Sequence, residues 1–225
     1  MPKVTFIVNR ENDKENLKFF LNYTSPSGQD SFAIAVQDYP ELLKFREVEN
    51  PEQQITEWVD KKYDDLGPEL EKNCTDQERI WRVIEDRFFA KASELFDGHK
   101  WPRQEFTACL TLFSRYRYDK ETGIFFVPRQ NIRHGITGVC IHELLHFLFF
   151  DYCEKNFKGK LSDEKLWDLS EVLNVLIMQS EPFGTWTGQK VRAYPKHKHL
   201  HESIKPLFES RKNISQFFQG YIKGQ

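Results

Sequence analysis

The sequence predicts an α+β fold in which a small mixed sheet with an edge hairpin packs on two buried helices. Short runs rich in β-branched and aromatic residues alternate with longer segments whose apolar residues recur at helical spacing. Gly138–Phe150 is apolar around its whole circumference except for two His and one Glu, which is typical of a buried helix. With 225 residues, of which 39% are hydrophobic, the chain is expected to form a single domain, 1–225, with a large core.

The N-terminal portion, residues 1–100, is predicted to be α/β. Val4–Val8 and Ser31–Val36 have the composition of short β-strands, and turn-forming residues lie between them. The apolar run at the N-terminus ends after about six residues, which is too short for the core of a signal peptide. We therefore expect a cytoplasmic protein.

Two helices are predicted in the second half of this portion. Apolar residues recur at helical spacing over Gln53–Asp64, which indicates a surface helix. Thr75 and Glu78 have the spacing of a capping box, so a second helix is expected to begin at Thr75 and to end at Gly98.

Residues 101–182 are predicted to form the core of the molecule, and residues 183–225 a C-terminal extension. Phe106–Tyr118 and Gly123–Val127 are two β-rich runs joined by a short polar segment, which indicates a hairpin. The apolar segment described above should form the next helix. A second helix is expected over Asp163–Met178, with Ser162 as its N-cap.

The strongest chemical signal is the run His-Glu-Leu-Leu-His at 142–146. His142 and His146 are four residues apart, so on a helix they share one face, about 6 Å apart along the axis, and can reach one metal ion. Glu143 is rotated by about 100° from His142 and by about 60° from His146, as a general base beside a metal would be. In a chain of this composition, with 7 His, the pattern arises by chance with a probability of about 0.02.

The apolar surroundings of these residues favour a metal site. A buried ionisable side chain costs several kcal/mol unless it is paired or bound to a metal. The alternative is a trio of hydrogen-bonded side chains in the core.

A catalytic zinc ion takes three protein ligands and one water, so a third ligand is needed. Phe149 and Tyr152 occupy the positions where HExxHxxGxxH would carry its Gly and third His, and Cys153 is about 10 Å along the helix from His146. Glu171, a carboxylate among apolar residues on the second helix, is the favoured ligand. Asp168, one turn earlier, is the alternative.

With these residues, the stretch from Phe106 to Met178 resembles the zincin metallopeptidases, and among them the gluzincins. The resemblance implies a zincin-like fold, Zn²⁺ as cofactor, His142, His146 and Glu171 as zinc ligands, and Glu143 as the base that polarises the nucleophilic water.

The chain departs from the gluzincin pattern NExxSD. Ser170 precedes Glu171 and Val175 follows it by four residues, so the usual aspartate is missing. Asn174 or Asp168 is left to orient a histidine.

Zincins commonly stabilise the oxyanion with a downstream Tyr or His. The segment from Arg192 to Glu202 contains one Tyr and three His, and Tyr194 and His199 are predicted as further catalytic residues. The alternative for this segment is a solvated, weakly basic loop or helix start.

The function expected from these features is zinc-dependent hydrolysis of peptide bonds. A peptide or protein substrate would lie along Ile124–Val127 as an added strand, which requires that strand to be an edge. The rival interpretation is a non-catalytic binding or regulatory protein on a zincin scaffold.

Composition limits the partners. Lys and Arg number 32 against 34 Asp and Glu, a net charge of −2, so neither a nucleic acid nor an anionic membrane is expected as a partner. The four widely spaced Cys are expected to be reduced, mostly buried thiols.

Overall fold

The fold is mixed α+β. A computed structural model describes residues 1–24, 30–114, 118–129, 135–188, 191–211 and 213–224. The chain divides into two compact units, which are described separately. The first comprises Met1–Val4, Ile80–Phe106 and Arg133–Gln225, and the second comprises Thr5–Arg79 and Thr107–Ile132.

Helices make up most of the described chain. Two 3₁₀ helices, Pro40–Glu47 and Pro195–His197, join longer elements. The strands and α-helices are, in chain order, β1 (Lys3–Val8), α1 (Arg10–Asn22), α2 (Ser31–Asp38), α3 (Glu52–Arg82), α4 (Glu85–Leu95), β2 (Glu105–Thr111), β3 (Tyr118–Asp119), β4 (Ile124–Pro128), α5 (Gly135–Asn156), α6 (Asp163–Gln179), α7 (Phe183–Thr187), α8 (Lys198–Glu209) and α9 (Ile214–Lys223).

The four strands form one mixed sheet in the order β1-β2-β4-β3. The predicted hairpin is only partly right, because β4 is antiparallel to the two-residue β3 and parallel to β2. The Asp119 carboxylate accepts from the backbone N–H groups of Glu121 and Thr122, and Gly123 has φ 77°. These turn residues close the hairpin locally between β3 and β4, so β2 pairs with the other side of β4.

The prediction that Ile124–Val127 is an edge strand is therefore wrong, since β4 lies between β2 and β3. Its Phe126 and Val127 are buried, as expected for a central strand with apolar residues on both faces.

Ser31–Val36 was predicted as a strand, and this is also wrong, because these residues begin α2. The Asp30 side chain accepts from the backbone N–H groups of Phe32 and Ala33, which is the standard N-cap arrangement. Phe32 and Ala35 are buried at helical spacing. A strong cap therefore outweighs the β-propensity of the run.

The helix predicted to begin at Thr75 is part of the longer α3. The Thr75 hydroxyl donates to the backbone oxygen of Glu71 at 3.0 Å, so it bonds backwards within the helix and does not cap a new one. The helical path breaks at Val83–Ile84, and α4 begins at Glu85. The predicted end is confirmed, because Gly98 has φ 75° and follows the last turn.

The two helices predicted for the core are confirmed. Helix α5 is buried on all sides from Val139 to Phe149, except for the half-buried His142. Helix α6 begins at its N-cap Ser162, whose hydroxyl accepts from the backbone N–H of Lys165 at 3.3 Å. Within this unit α5 packs against α6 and α7, and α6 packs against α8. None of the helices in the described residues has the length and apolarity needed to cross a membrane.

Candidate metal centre

Three side chains converge where α5 packs against α6. The Nε2 atoms of His142 and His146 are 3.0 Å apart. Glu171 Oε2 lies 3.4 Å from His142 Nε2, and Glu171 Oε1 lies 3.7 Å from His146 Nε2. His146 and Glu171 are buried, and His142 is half-buried. These are the three residues that the sequence selects as metal ligands, and together they form a group that can hold a metal ion.

The spacing of these atoms is short enough for all three side chains to reach one metal ion. Zinc bonds of 2.0–2.2 Å at tetrahedral angles separate the ligand atoms by about 3.3–3.6 Å. The observed separations of 3.0, 3.4 and 3.7 Å involve both carboxylate oxygens of Glu171 and therefore join four atoms, and one ligand atom from each of the three residues lies within 4.8 Å of the other two. Glu171 Oε2 is buried and makes no hydrogen bond with the described residues. The donor set therefore fits a divalent ion that takes nitrogen and oxygen ligands.

Two of the three side chains are deprotonated near neutral pH, as metal binding requires. Burial and the neighbouring His142 lower the pKa of His146 to about 3. Burial acts to raise the pKa of Glu171, but the interaction with His142 outweighs it and lowers that pKa to about 2. Burial likewise opposes the charged form of His142, but Glu171 raises its pKa overall. His142 is therefore the ligand that an arriving cation would have to deprotonate.

Glu143 lies beside this group on α5. Its side chain is buried, and its charge contributes to the raised pKa of His142. The Glu143 carboxylate therefore lies within electrostatic range of His142, and its role as a general base stays a prediction.

Asp168 and Asn174 make hydrogen bonds with a histidine side chain and with the backbone of a histidine, respectively. Asp168, the alternative third ligand, lies outside the group of three, and its Oδ1 accepts from His197 Nε2 at 2.8 Å. The Asn174 amide donates to the backbone oxygen of His142 at 3.1 Å. Asn174 therefore supports the backbone of α5, and the histidine that Asp168 orients is His197.

His197 is one of the three histidines of the segment from Arg192 to Glu202, and the sequence analysis did not select it. It ends the second 3₁₀ helix, it is buried, and its Nδ1 makes no hydrogen bond with the described residues. Its charge contributes to the lowered pKa of Glu171, so it lies within electrostatic range of the metal group. Asp168 is the feature of the sequence that could have indicated this contact. It is a carboxylate one turn before Glu171, and such a carboxylate needs a hydrogen-bond partner.

The two predicted catalytic residues of this segment lie outside the group of three. Tyr194 is 42% exposed and its ring lies 6.1 Å from that of His197. His199 is exposed near the start of α8. Their catalytic roles stay predictions.

The four cysteines are free and buried, as expected. Cys153 is not a member of the metal group. Burial raises the pKa of its thiol, so it is neutral at pH 7.

Aromatic rings form one wall of the site. Trp167 stacks on His146, with ring centroids 5.7 Å apart and planes 8° apart. Phe150 also stacks on His146, at 6.0 Å and 22°. These rings hold the imidazole in place and keep its surroundings apolar.

The stacking gives a direct signal for metal binding. We expect Co²⁺, an open-shell ion that quenches nearby fluorophores, to quench the fluorescence of Trp167, because this ring lies against the ligand His146. Replacing Trp167 by Phe should remove most of the change while the metal stoichiometry stays the same. Trp186→Phe is the matched control, since the rings and cations around Trp186 are Phe183 and Arg87. An equal loss of the signal in both variants would contradict this placement of the metal.

Comparison with models of protein families, with curated proteins and with solved structures gives no match. The site is therefore interpreted from its own residues. They define a mixed α+β protein with a His-His-Glu group that can hold a metal ion.

Proposed function

We propose that the protein is a zinc-dependent hydrolase, and specifically a gluzincin-like metallopeptidase. The observation that carries the proposal is the convergence of His142, His146 and Glu171 within ligand distance of one another, with the buried Glu143 adjoining them. Two imidazoles and one carboxylate leave a fourth position open, as in catalytic zinc sites, whereas structural zinc sites are closed by four protein ligands.

A zinc ion at this position would lower the pKa of a coordinated water from about 15.7 toward 7 and would polarise a carbonyl oxygen. The protein supplies the proton transfers. A carboxylate oxygen of Glu143 takes a proton from the water as it attacks the peptide carbonyl, and then passes that proton to the departing amine nitrogen.

The surrounding residues assist these steps. The donor to the developing oxyanion is proposed to be Tyr194 or His199, because the neutral ring of His197 already donates its one N–H to Asp168 at 2.8 Å and its Nδ1 is an acceptor. Trp167 and Phe150 limit the access of water on the side of His146, which strengthens the electrostatic interactions within the site.

Metal removal tests the proposal. We expect the purified protein to contain about one equivalent of zinc, because three ligands of the correct type converge on one point. A chelator should abolish hydrolysis of a mixed peptide library, and added Zn²⁺ should restore it. The measurements are elemental analysis and mass spectrometry of the library products.

Other results would exclude the peptidase. A protein that contains zinc but cleaves no peptide would favour a non-catalytic binding or regulatory role on the same scaffold. Iron in place of zinc would indicate a different chemistry, since two His and one carboxylate also form the facial triad of iron oxygenases.

A further inference from the structure

We infer that a cavity at the C-terminal end of α6 binds the carboxylate of a peptide C-terminus, so that the enzyme cleaves about three residues from that end. The inference rests on the proposed peptidase function and specifies its substrate class. The cavity has a volume of about 800 Å³, which is within the range of ligand sites. All its lining residues belong to the unit that holds the metal group.

The charge of the cavity favours an anion. Arg192 and Lys205 line it as cations, against one carboxylate, Glu181, in a chain whose net charge is −2. His201 also lines the cavity, but burial and Lys205 lower the pKa of its imidazole, so it contributes a neutral hydrogen-bond donor. Glu181 already accepts from the hydroxyl of Thr185 at 2.7 Å. The cavity therefore concentrates positive charge that the overall composition does not predict.

Arg192 is the available cation. It is exposed, and within the described part of the chain it makes neither an ion pair nor a hydrogen bond. Lys205 lies 3.7 Å from Glu209, both side chains being largely exposed, so this pair is weak. A guanidinium binds a carboxylate through two parallel hydrogen bonds, and Arg192 is free to do so.

The side-chain amide of Gln179 holds together the segments that line the cavity. Gln179, the last residue of α6, donates from Nε2 to the backbone oxygen of Val191 at 2.8 Å. Its Oε1 lies 3.2 Å from His201 Nε2, and because an amide oxygen only accepts, the imidazole donates. Gln179 thus holds the segment before Arg192 and the first turn of α8 against α6.

The cavity and the metal group share one face of α6. Met178 lines the cavity and lies seven residues after Glu171, which is almost two full turns and about 10 Å along the helix axis. An extended peptide rises about 3.3 Å per residue. Three residues therefore span the distance from a bond held at Glu171 to a carboxylate held in the cavity.

A stretch of backbone that begins outside regular secondary structure follows the same path. Val191 is bonded to Gln179 and His197 is bonded to Asp168, so the chain from 191 to 197 runs antiparallel to α6, past the level of Glu171. Within the described residues, the backbone N–H and C=O groups of Arg192 and Ala193 make no backbone hydrogen bonds. These groups are available to pair with a peptide, as in strand addition.

The inference is tested with three versions of one peptide that the protein cleaves. They are the free acid, the C-terminal amide, and the amide with a Glu side chain at its last position. We expect kcat/KM to be at least about tenfold higher for the free acid than for the plain amide, which corresponds to one charge-assisted contact. Arg192→Gln should remove most of this advantage by raising KM. Lys198→Gln, an exposed residue of α8 outside the cavity lining, is the control and should leave the advantage intact.

A binding measurement separates this inference from the peptidase proposal. Fluorescence anisotropy of a labelled hexapeptide of Ala, Phe and Leu, as free acid and as amide, is measured on the Glu143→Gln protein loaded with zinc. A preference for the acid that Arg192→Gln abolishes supports the cavity assignment, even if the wild-type protein cleaves no peptide. Equal binding and cleavage of acid and amide overturns it while leaving the peptidase in place. If the Glu-ended amide equals the free acid, the assignment to the C-terminus is overturned in favour of an acidic side chain.

Discussion

Turnover of a peptide substrate is expected to fall by about 10²–10⁴ when Glu143 is replaced by Gln, the range that general acid–base catalysis contributes. The amide is nearly isosteric with the carboxylate but cannot accept the proton from the attacking water. Since Glu143 is not one of the three proposed ligands, the zinc content should stay at that of the wild type. The measurements are kcat on a peptide found in the library and metal analysis of the same sample.

Glu154→Gln is the matched control for this change. It makes the same chemical substitution on the same helix at an exposed position, and turnover should stay within about twofold. If Glu143→Gln kept full turnover, Glu143 would not be the base, and the proposed proton transfers would have to be abandoned.

The second large effect is expected on metal affinity. Replacing His146 by Ala, or Glu171 by Gln, removes one of three converging ligand atoms and should weaken zinc binding by at least about 100-fold, the upper end of what loss of an outer-shell partner costs. Turnover should be lost with the metal. The measurements are zinc stoichiometry after dialysis and the rise in melting temperature on adding Zn²⁺, which should disappear.

The two variants complement each other. His146 is 2% exposed and packs against Trp167 and Phe150, so its truncation leaves a void that can itself destabilise the protein. Glu171→Gln keeps the side-chain volume and changes mainly the charge. His199→Ala, at an exposed position, is the control and should keep its zinc. Unchanged zinc content in His146→Ala and Glu171→Gln would refute the ligand assignment.

The metal group could be predicted because the sequence features that indicate it are local spacings and the apolar character of neighbouring residues. The spacing of His142 and His146 places them on one helix face by geometry alone, and Glu171 stands out as a carboxylate within an apolar stripe. The sequence also marks where these helices begin and end, as the N-cap Ser162 does for α6. These features need no knowledge of distant contacts.

The sheet and His197 were not predictable in the same way. The pairing partner of β4 depends on which side β2 occupies, and the residues of β2 fit a parallel neighbour as well as an antiparallel one. Ser31–Val36 has the composition of a strand, but the N-cap hydrogen bonds of Asp30 stabilise a helix there. The burial of His197 depends on Asp168, which is 29 residues away in the chain. A contact over this separation cannot be predicted from the periodicity of the sequence.

The proposed ligands come from two helices, with two atoms from α5 and one from α6. A bound ion would therefore act as a cross-link between the two helices, and they could not separate without first releasing it. The opening of this pair would be tied to the concentration of free metal, because every tenfold rise in the ion stabilises the closed arrangement by a further ~1.4 kcal/mol once the site is saturated. Resistance of this region to unfolding and to proteolysis would then follow the supply of metal in the cell.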